Sequence, residues 1–331
     1  MSSRQYHCIG KGFCGSVWAL DNDTAHTAAI KREDGGPDRS VTNDYNMHVR
    51  ILRSAFQTPP STPLSIPECH GLVQQTDDSW WETRLHQFPA GYTACRALIS
   101  ERIPKIPRSI SNKIVDLFCV GNAPLSEFVK QNHADDACLV RPYLGRIRGH
   151  YQKQTARPSR YQRFSLRNVP LHLDQMEKLG LDVAAYAETM ADALALMHWG
   201  AQVDANDVEF VLAPPRQQEK APYAFQSEWL GDHCLWILDF DCCHPISMDE
   251  AGLDKACVAF FKNDPFYPRP QSQESADTAL WNVFKERFLV ASRKILSQGD
   301  RDEQWLAEEL VKKIEIEGQL RRSKKEKLDS A

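Results

Sequence analysis

The stretch Gly10-Lys11-Gly12-Phe13-Cys14-Gly15-Ser16-Val17 constrains this chain more than any other, because it spells G-x-G-x-x-G-x-V. Glycines at this spacing let a hairpin backbone lie close over a phosphate, where side chains would clash. The same pattern also occurs in hairpins with no ligand beneath, so its surroundings decide its meaning. Val17–Leu20 and Thr27–Lys31 read as strands separated by the turn-rich Asp21-Asn22-Asp23. Lys31 thus ends a strand fourteen residues after Val17.

A helix is expected over Asn43–Arg53, with Asp44 the acid placed to hold Lys31. Thr58–Pro67, with four prolines, reads as a loop, and Trp80–His86 and Ala97–Ile103 as further strands. Val183, Ala187, Met190, Leu194 and Met197 recur on one face, so Asp182–Trp199 reads as a helix capped by Asp182. Val208–Leu212 and Cys234–Phe240 read as short strands. Asp277–Lys327 reads as mostly helical, closing in a solvated basic run, Arg321–Lys327.

Two segments of the second half carry acids in a telling order. Gln202–Leu212 resembles the protein-kinase loop H-R-D-x-x-x-x-N, with Asp204 on the aspartate and Glu209 on the asparagine. Ile237–Asp241 resembles the D-F-G strand end, with Asp239 on the metal-binding aspartate and Asp241 in place of glycine. The expected fold class is therefore α+β, a protein-kinase-like two-lobed fold. A strand-rich N-lobe would span 1–103 and a mostly helical C-lobe 104–331, with a basic insertion at 141–167 and the catalytic-loop-like segment at 202–241. The departures are plain. Gln202-Val203 replaces His-Arg, Glu209 is an acid, and no A-P-E segment follows Asp239.

Asp204, Glu209 and Asp239 are the catalytic candidates. Gly10, Gly12, Gly15, Lys31, Asp44, Asn206, Asp207 and Asp241 are the substrate-binding ones. Converging carboxylates can hold Mg²⁺ through oxygen, clamp a planar guanidinium, or form a solvated acidic rim. No resident metal is assigned.

The chain is acidic overall, with a formal net charge of −4, yet residues 141–167 contain no Asp or Glu. Arg141, Arg146, Arg148, Lys153, Arg157, Arg160, Arg163 and Arg167 lie there, interleaved with Tyr143, Tyr151, Tyr161 and Phe164. Such a stretch suits nucleic-acid phosphates and stacked bases, or forms a flexible loop. No run of about 18 apolar residues marks a membrane span, and Met1–Gly12 lacks the apolar core of a signal peptide, so a cytoplasmic protein with no membrane partner is expected. The ten cysteines form no C-x-x-C pair, and Cys242-Cys243-His244 has no second pair at zinc spacing. Free thiols are the better expectation.

Longer stretches carry a more specific resemblance: Phe164–Met176, Met197-His198-Trp199, Val203–Leu212, Leu238–Cys243 and Asn263–Pro270. With them the chain resembles a fungal family of formerly unknown function, often mislabelled as zinc-finger, that includes the arginine-containing cyclodipeptide synthases. That resemblance implies an enzyme joining arginine to a second amino acid as a diketopiperazine. It would use arginyl-tRNA and a second aminoacyl-tRNA as activated donors, with no cofactor and no obligate protein partner. The terminal adenosine would lie under the Gly10–Val17 loop, the acceptor stem of the tRNA along the basic stretch Arg141–Arg167, and the arginyl side chain in the acidic cleft, where a carboxylate acts as base. Ser165, Cys14 and Ser16 are conceivable acyl acceptors. Two other readings stay open: an ATP-dependent phosphotransferase, and a non-catalytic binding module on the same scaffold.

Overall fold

The computed structural model describes residues 5–20, 28–36, 40–119, 121–132, 137, 139–146, 164–216, 224–270, 275–298 and 303–329. The chain opens with strands β1 (Tyr6–Lys11), β2 (Ser16–Leu20) and β3 (Ala28–Arg32), followed by helix α1 (Val41–Gln57). Ser40 caps α1, its Oγ accepting from Thr42 N at 3.2 Å, and Glu33 Oε2 accepts from Val41 N at 2.9 Å. Two of the donors that every helix start leaves open are thereby satisfied. Next come β4 (Leu64–Ser65), β5 (Cys69–Val73), α2 (Asp78–Glu82) and β6 (Ala97–Glu101). Strands β1-β2-β3-β6-β5, in that order, form one antiparallel sheet.

The chain continues through α3 (Arg108–Phe118), α4 (Ala123–Gln131), β7 (Val140–Tyr143), β8 (Val169–His172), α5 (Leu173–Lys178) and α6 (Val183–Ala195). Strands β9 (Glu209–Ala213), β10 (Phe225–Ser227) and β11 (Gly231–Leu238) precede α7 (Glu250–Lys262), α8 (Ser275–Leu296) and α9 (Trp305–Asp329). The second sheet runs β10-β11-β9-β7-β8, and β4 pairs with β11 in parallel. The molecule is thus a mixed α+β structure with two sheets. No helix among the described residues is long and apolar enough to cross a membrane.

Helix α6 explains the large core. Residues Met190 to Ala195 are all buried, so the helix is covered on every side. It packs between α8 and the second sheet, with Tyr186, Met190 and Leu194 at most 1% exposed. Asp182 caps it as expected, accepting from Ala185 N at 3.0 Å. Beyond Ala195 the turn widens into a π-helix, Leu196–Gly200, which turns His198 and Trp199 inward.

A smaller aromatic core lies on the first sheet and includes Tyr6, Trp18, Trp81 and Phe88. The Arg32 guanidinium is buried there, 5.1, 4.8 and 5.3 Å from the rings of Trp81, Phe88 and Tyr92.

Two expectations need correction. Trp80–His86 is not a strand but α2 followed by the 3-10 turn Leu85–Gln87. Its aromatic residues suit a strand, but Asp77 O accepts from Trp80 N and Trp81 N at 3.0 and 3.1 Å, and the resulting turn puts Trp81 beside Arg32. Tertiary packing overrides propensity. The Thr58–Pro67 segment contains β4, whose pairing with β11 crosses the boundary expected at residue 103. The basic run at 321–327 continues the expected helix within α9, with Arg321, Lys324 and Lys327 exposed, and Arg321 lies 4.3 Å from the ring of Phe261.

Candidate active site

A cavity of about 360 Å³ opens between the glycine-rich hairpin, the segment leading into β9 and the segment after β11. Gly10, Gly12 and Gly15 form its roof. Gly15 has φ +151°, and a Cβ there would lie 2.0 Å from Arg32 O. At Gly35 a Cβ would lie 2.2 Å from Phe13 O. The roof is pinned by the segment after β3: Gly35 N donates to Cys14 O at 3.1 Å and Gly36 N to Phe13 O at 2.7 Å. Asp34 Oδ1 accepts from Ser16 N at 2.7 Å, and its Oδ2 accepts from Arg32 Nε at 3.1 Å.

Lys31 enters the cavity from β3. Its Nζ donates to Asp44 Oδ2 at 2.5 Å and to Asp239 Oδ1 at 2.6 Å, with Asp241 Oδ2 at 3.7 Å. Burial pulls the lysine pKa down, but Asp44, Asp239 and Asp241 outweigh it and leave the pKa well above the ordinary value. The expected pairing of Lys31 with Asp44 is therefore present, and the shorter acid reaches because α1 is tied down. Asn43 Nδ2 donates to Asp241 O and Cys243 O, each at 2.9 Å.

Asp207, Glu209, Asp239 and Asp241 line the same cavity. Glu209 is half-buried at the start of β9, and Arg141 Nη2 donates to both its oxygens at 2.5 Å. Burial raises the Glu209 pKa and the nearby Asp239 and Asp207 add to this, against the pull of Arg141. Five non-glycine residues among those described have positive φ: Asn168, Gln202, Ala205, Asp207 and Asp239. Asn168, Asp207 and Asp239 line the cavity, so backbone strain gathers where function is expected.

Two candidates do not face the cavity. Asp204 is buried, and its Oδ1 accepts from Asn206 N at 3.0 Å and His244 N at 2.9 Å. It braces the loop, and burial raises its pKa. Asn206 donates through Nδ2 to Cys242 O at 3.0 Å. Both are absent from the cavity lining.

The basic stretch divides. Arg141 lies in β7 with its guanidinium on Glu209, and Arg146 and Arg167 are exposed away from the lining. Arg148, Lys153, Arg157, Arg160 and Arg163 lie outside the described residues.

The conceivable nucleophiles have structural surroundings. Burial pushes the Cys14 thiol up to about 12. Ser16 Oγ donates to Asp34 Oδ2 at 2.7 Å, and Ser165 Oγ accepts from Arg167 N at 3.0 Å.

One organising residue was not among the candidates. Asn263, buried at the end of α7, donates through Nδ2 to Ala205 O at 2.9 Å and accepts at Oδ1 from Asp207 N at 2.6 Å. It holds the strained loop from behind. The sequence signal was the Asn263-Asp264-Pro265-Phe266 helix stop.

A family model described as DUF3669, zinc finger protein, matches residues 235–300, about a fifth of the chain. No curated protein matches the chain. These findings correct the expectation that the chain belongs to the arginine-containing cyclodipeptide synthases, since the matched family carries the zinc-finger description and nothing matched names such a synthase. The described donors do not suit a zinc finger either. Within 235–300 the only cysteines and histidine are Cys242, Cys243, His244 and Cys257. Cys243 is fully buried, and burial holds its thiol pKa well above the ordinary value. Among the described residues, the group whose ligand atoms gather within 4.8 Å is Asp207, Asp241 and Cys242. One sulfur and two carboxylates are not the Cys and His set of a structural zinc site. The match therefore attaches this chain to a description, and its donor atoms point elsewhere.

Proposed function

We propose that the chain is an aminoacyl-tRNA-dependent transferase that closes arginine and a second amino acid into a cyclic dipeptide, on a two-lobed scaffold of protein-kinase type. The observation that carries this reading is the charge at the back of the cavity. Asp44, Asp207, Glu209, Asp239 and Asp241 gather there around Lys31 and Arg141, while the other lining cations, Lys11, Arg102 and Lys105, stand toward the mouth. A nucleotide triphosphate pushed into that floor would meet net repulsion, whereas an ammonium or guanidinium would be attracted. Asp207 and Asp241 offer oxygens within 4.8 Å of each other, a spacing that suits the planar fork of arginine.

In the proposed reaction the α-amine of one aminoacyl ester attacks the ester carbonyl carbon of the other. A C–N bond forms, the C–O bond to the terminal ribose breaks, and the amine proton passes through Glu209 to the departing ribose oxygen. The raised Glu209 pKa favours proton acceptance there. A second, internal attack of the same kind closes the ring and frees the second tRNA. The ester is already activated, so no ATP is consumed. Incubation with arginyl-tRNA and a pool of other aminoacyl-tRNAs, read by mass spectrometry, tests this. If no cyclic arginine dipeptide forms, the reading is wrong.

A second reading, an ATP-dependent phosphotransferase, is favoured by the Lys31–Asp44 pair beside Asp239. Calorimetry with ATP and Mg²⁺ separates the two, because the transferase reading expects no heat of binding.

A further inference from the structure

We propose that the mouth of this cavity is a platform for the unpaired 3′ end of an RNA. One base would stack on Phe13, and the flanking phosphates would lie against Lys11, Arg102 and Lys105. The proposal rests on the reading of the cavity as a site for a tRNA-borne ester, and it moves the RNA contact from the 141–167 stretch to the roof itself.

Phe13 is 79% exposed although it sits at the tip of the glycine-rich hairpin. Its backbone is held on both flanks: Gly12 N donates to Gly15 O at 2.9 Å, and Gly36 N donates to Phe13 O at 2.7 Å. Because Gly15 and Gly35 interlock with no room for a Cβ, the roof is a fixed shelf. An aromatic ring presented to solvent on a fixed shelf loses little freedom when a base stacks on it.

The charges are graded with depth. Lys11 and Lys105 are exposed and Arg102 is half-buried, and all three line the cavity. The acid beside them, Glu101, is already engaged by Arg216, whose Nη2 donates to Oε2 at 2.8 Å. At the back, Asp44 and Asp241 are buried among the other carboxylates. A ligand that fits both zones is anionic and aromatic outside and cationic inside. A nucleotide chain ending in an aminoacyl ester has that order, with phosphates and base first and the ammonium last.

The test uses the full chain and two probes: a deacylated tRNA, and the same tRNA trimmed of its unpaired 3′ nucleotides. Binding is read by fluorescence anisotropy across a salt series. The intact tRNA is expected to bind at least tenfold more tightly than the trimmed one. Phe13→Ala is expected to weaken the intact tRNA about tenfold, the contribution of one stacked base, and to leave the trimmed one unchanged. Lys11→Gln with Lys105→Gln is expected to flatten the salt dependence by about one and a half units of slope. Thermal melting of each variant checks its fold. Equal binding of both probes, no effect of Phe13→Ala, or no tRNA binding overturns the platform. Cyclic dipeptide formation that is indifferent to Phe13→Ala would overturn the platform and keep the transferase. The expected binding pattern without product would do the reverse.

Discussion

The ammonium of Lys31 lies 2.5 Å from a carboxylate oxygen of Asp44, a residue only 2% exposed. The other Asp44 oxygen accepts from Phe240 N at 3.1 Å. One buried side chain therefore ties β3, α1 and the backbone after Asp239 into a single joint, and that joint sets the floor of the cavity.

Replacing Lys31 by Met takes the cation from this joint and leaves Asp44 buried as an acid. A loss of about 3 kcal/mol is expected from urea unfolding at neutral pH. Asp44→Asn in the same chain should recover part of it, and purely additive losses would contradict the pairing. The lysine pKa is raised above its ordinary 10.5, so this contribution is complete below that pH and fades as the pH climbs toward the folded value. Lys31→Met should flatten that alkaline limb.

Gly12 and Gly15 should part company on substitution. A Cβ at Gly12 meets nothing within 4 Å, whereas at Gly15 it meets Arg32 O at 2.0 Å and Asp34 Oδ1 at 2.6 Å. Thermal melting should show Gly12→Ala close to the parent and Gly15→Ala destabilised by about 2 kcal/mol. Equal behaviour would mean that the roof is not interlocked.

Asp204→Ala and Asn263→Ala should act through the fold. Each leaves partly buried backbone groups in or beside the 204–208 loop without a side-chain partner, at a cost of about 2 kcal/mol. Asp239→Asn, half-buried at the cavity, should leave the melting temperature within a few degrees of the parent and abolish product. If Asp204→Ala kept full stability and lost only turnover, Asp204 would return as a chemical group.

His198 supplies an acid-sensitive element. Its Nδ1 lies 2.9 Å from Val203 O, and complete burial lowers its pKa to about 4. Between the ordinary 6.5 and that value the unfolded chain binds a proton that the folded chain refuses. Stability should fall on acidification across this window by about 3 kcal/mol from His198 alone. His48 and His233 shift the same way by burial and add to the slope. His198→Gln should make the denaturation midpoint less sensitive to pH over that range.

Much of this was legible in the residues. The glycine hairpin, Lys31, Asp44 and Asp239 come together as their spacing implies, because each sits at the end of a short strand or the start of a helix. Asp204 was misplaced because a motif position specifies a backbone path and not a direction, and here its oxygens turn inward to brace the loop. Arg141 was read with its basic neighbours, yet its strand brings it to Glu209, 68 residues further along the chain. Pairing at that separation leaves no mark in local sequence. Trp80–His86 misled because aromatic composition describes burial, which a helical turn satisfies as well as a strand does.

The two-residue strand β4 has a mechanical meaning. It threads the early part of the chain into the later sheet, Arg50 donates to Ala201 O, and Arg216 reaches Ile66 O and Glu101. Stitched at these places, the described walls of the cleft are fastened to each other, and any swing between them would have to break these pairings. Selection among ligands then falls to the shape and charge of the opening that these fastened walls leave.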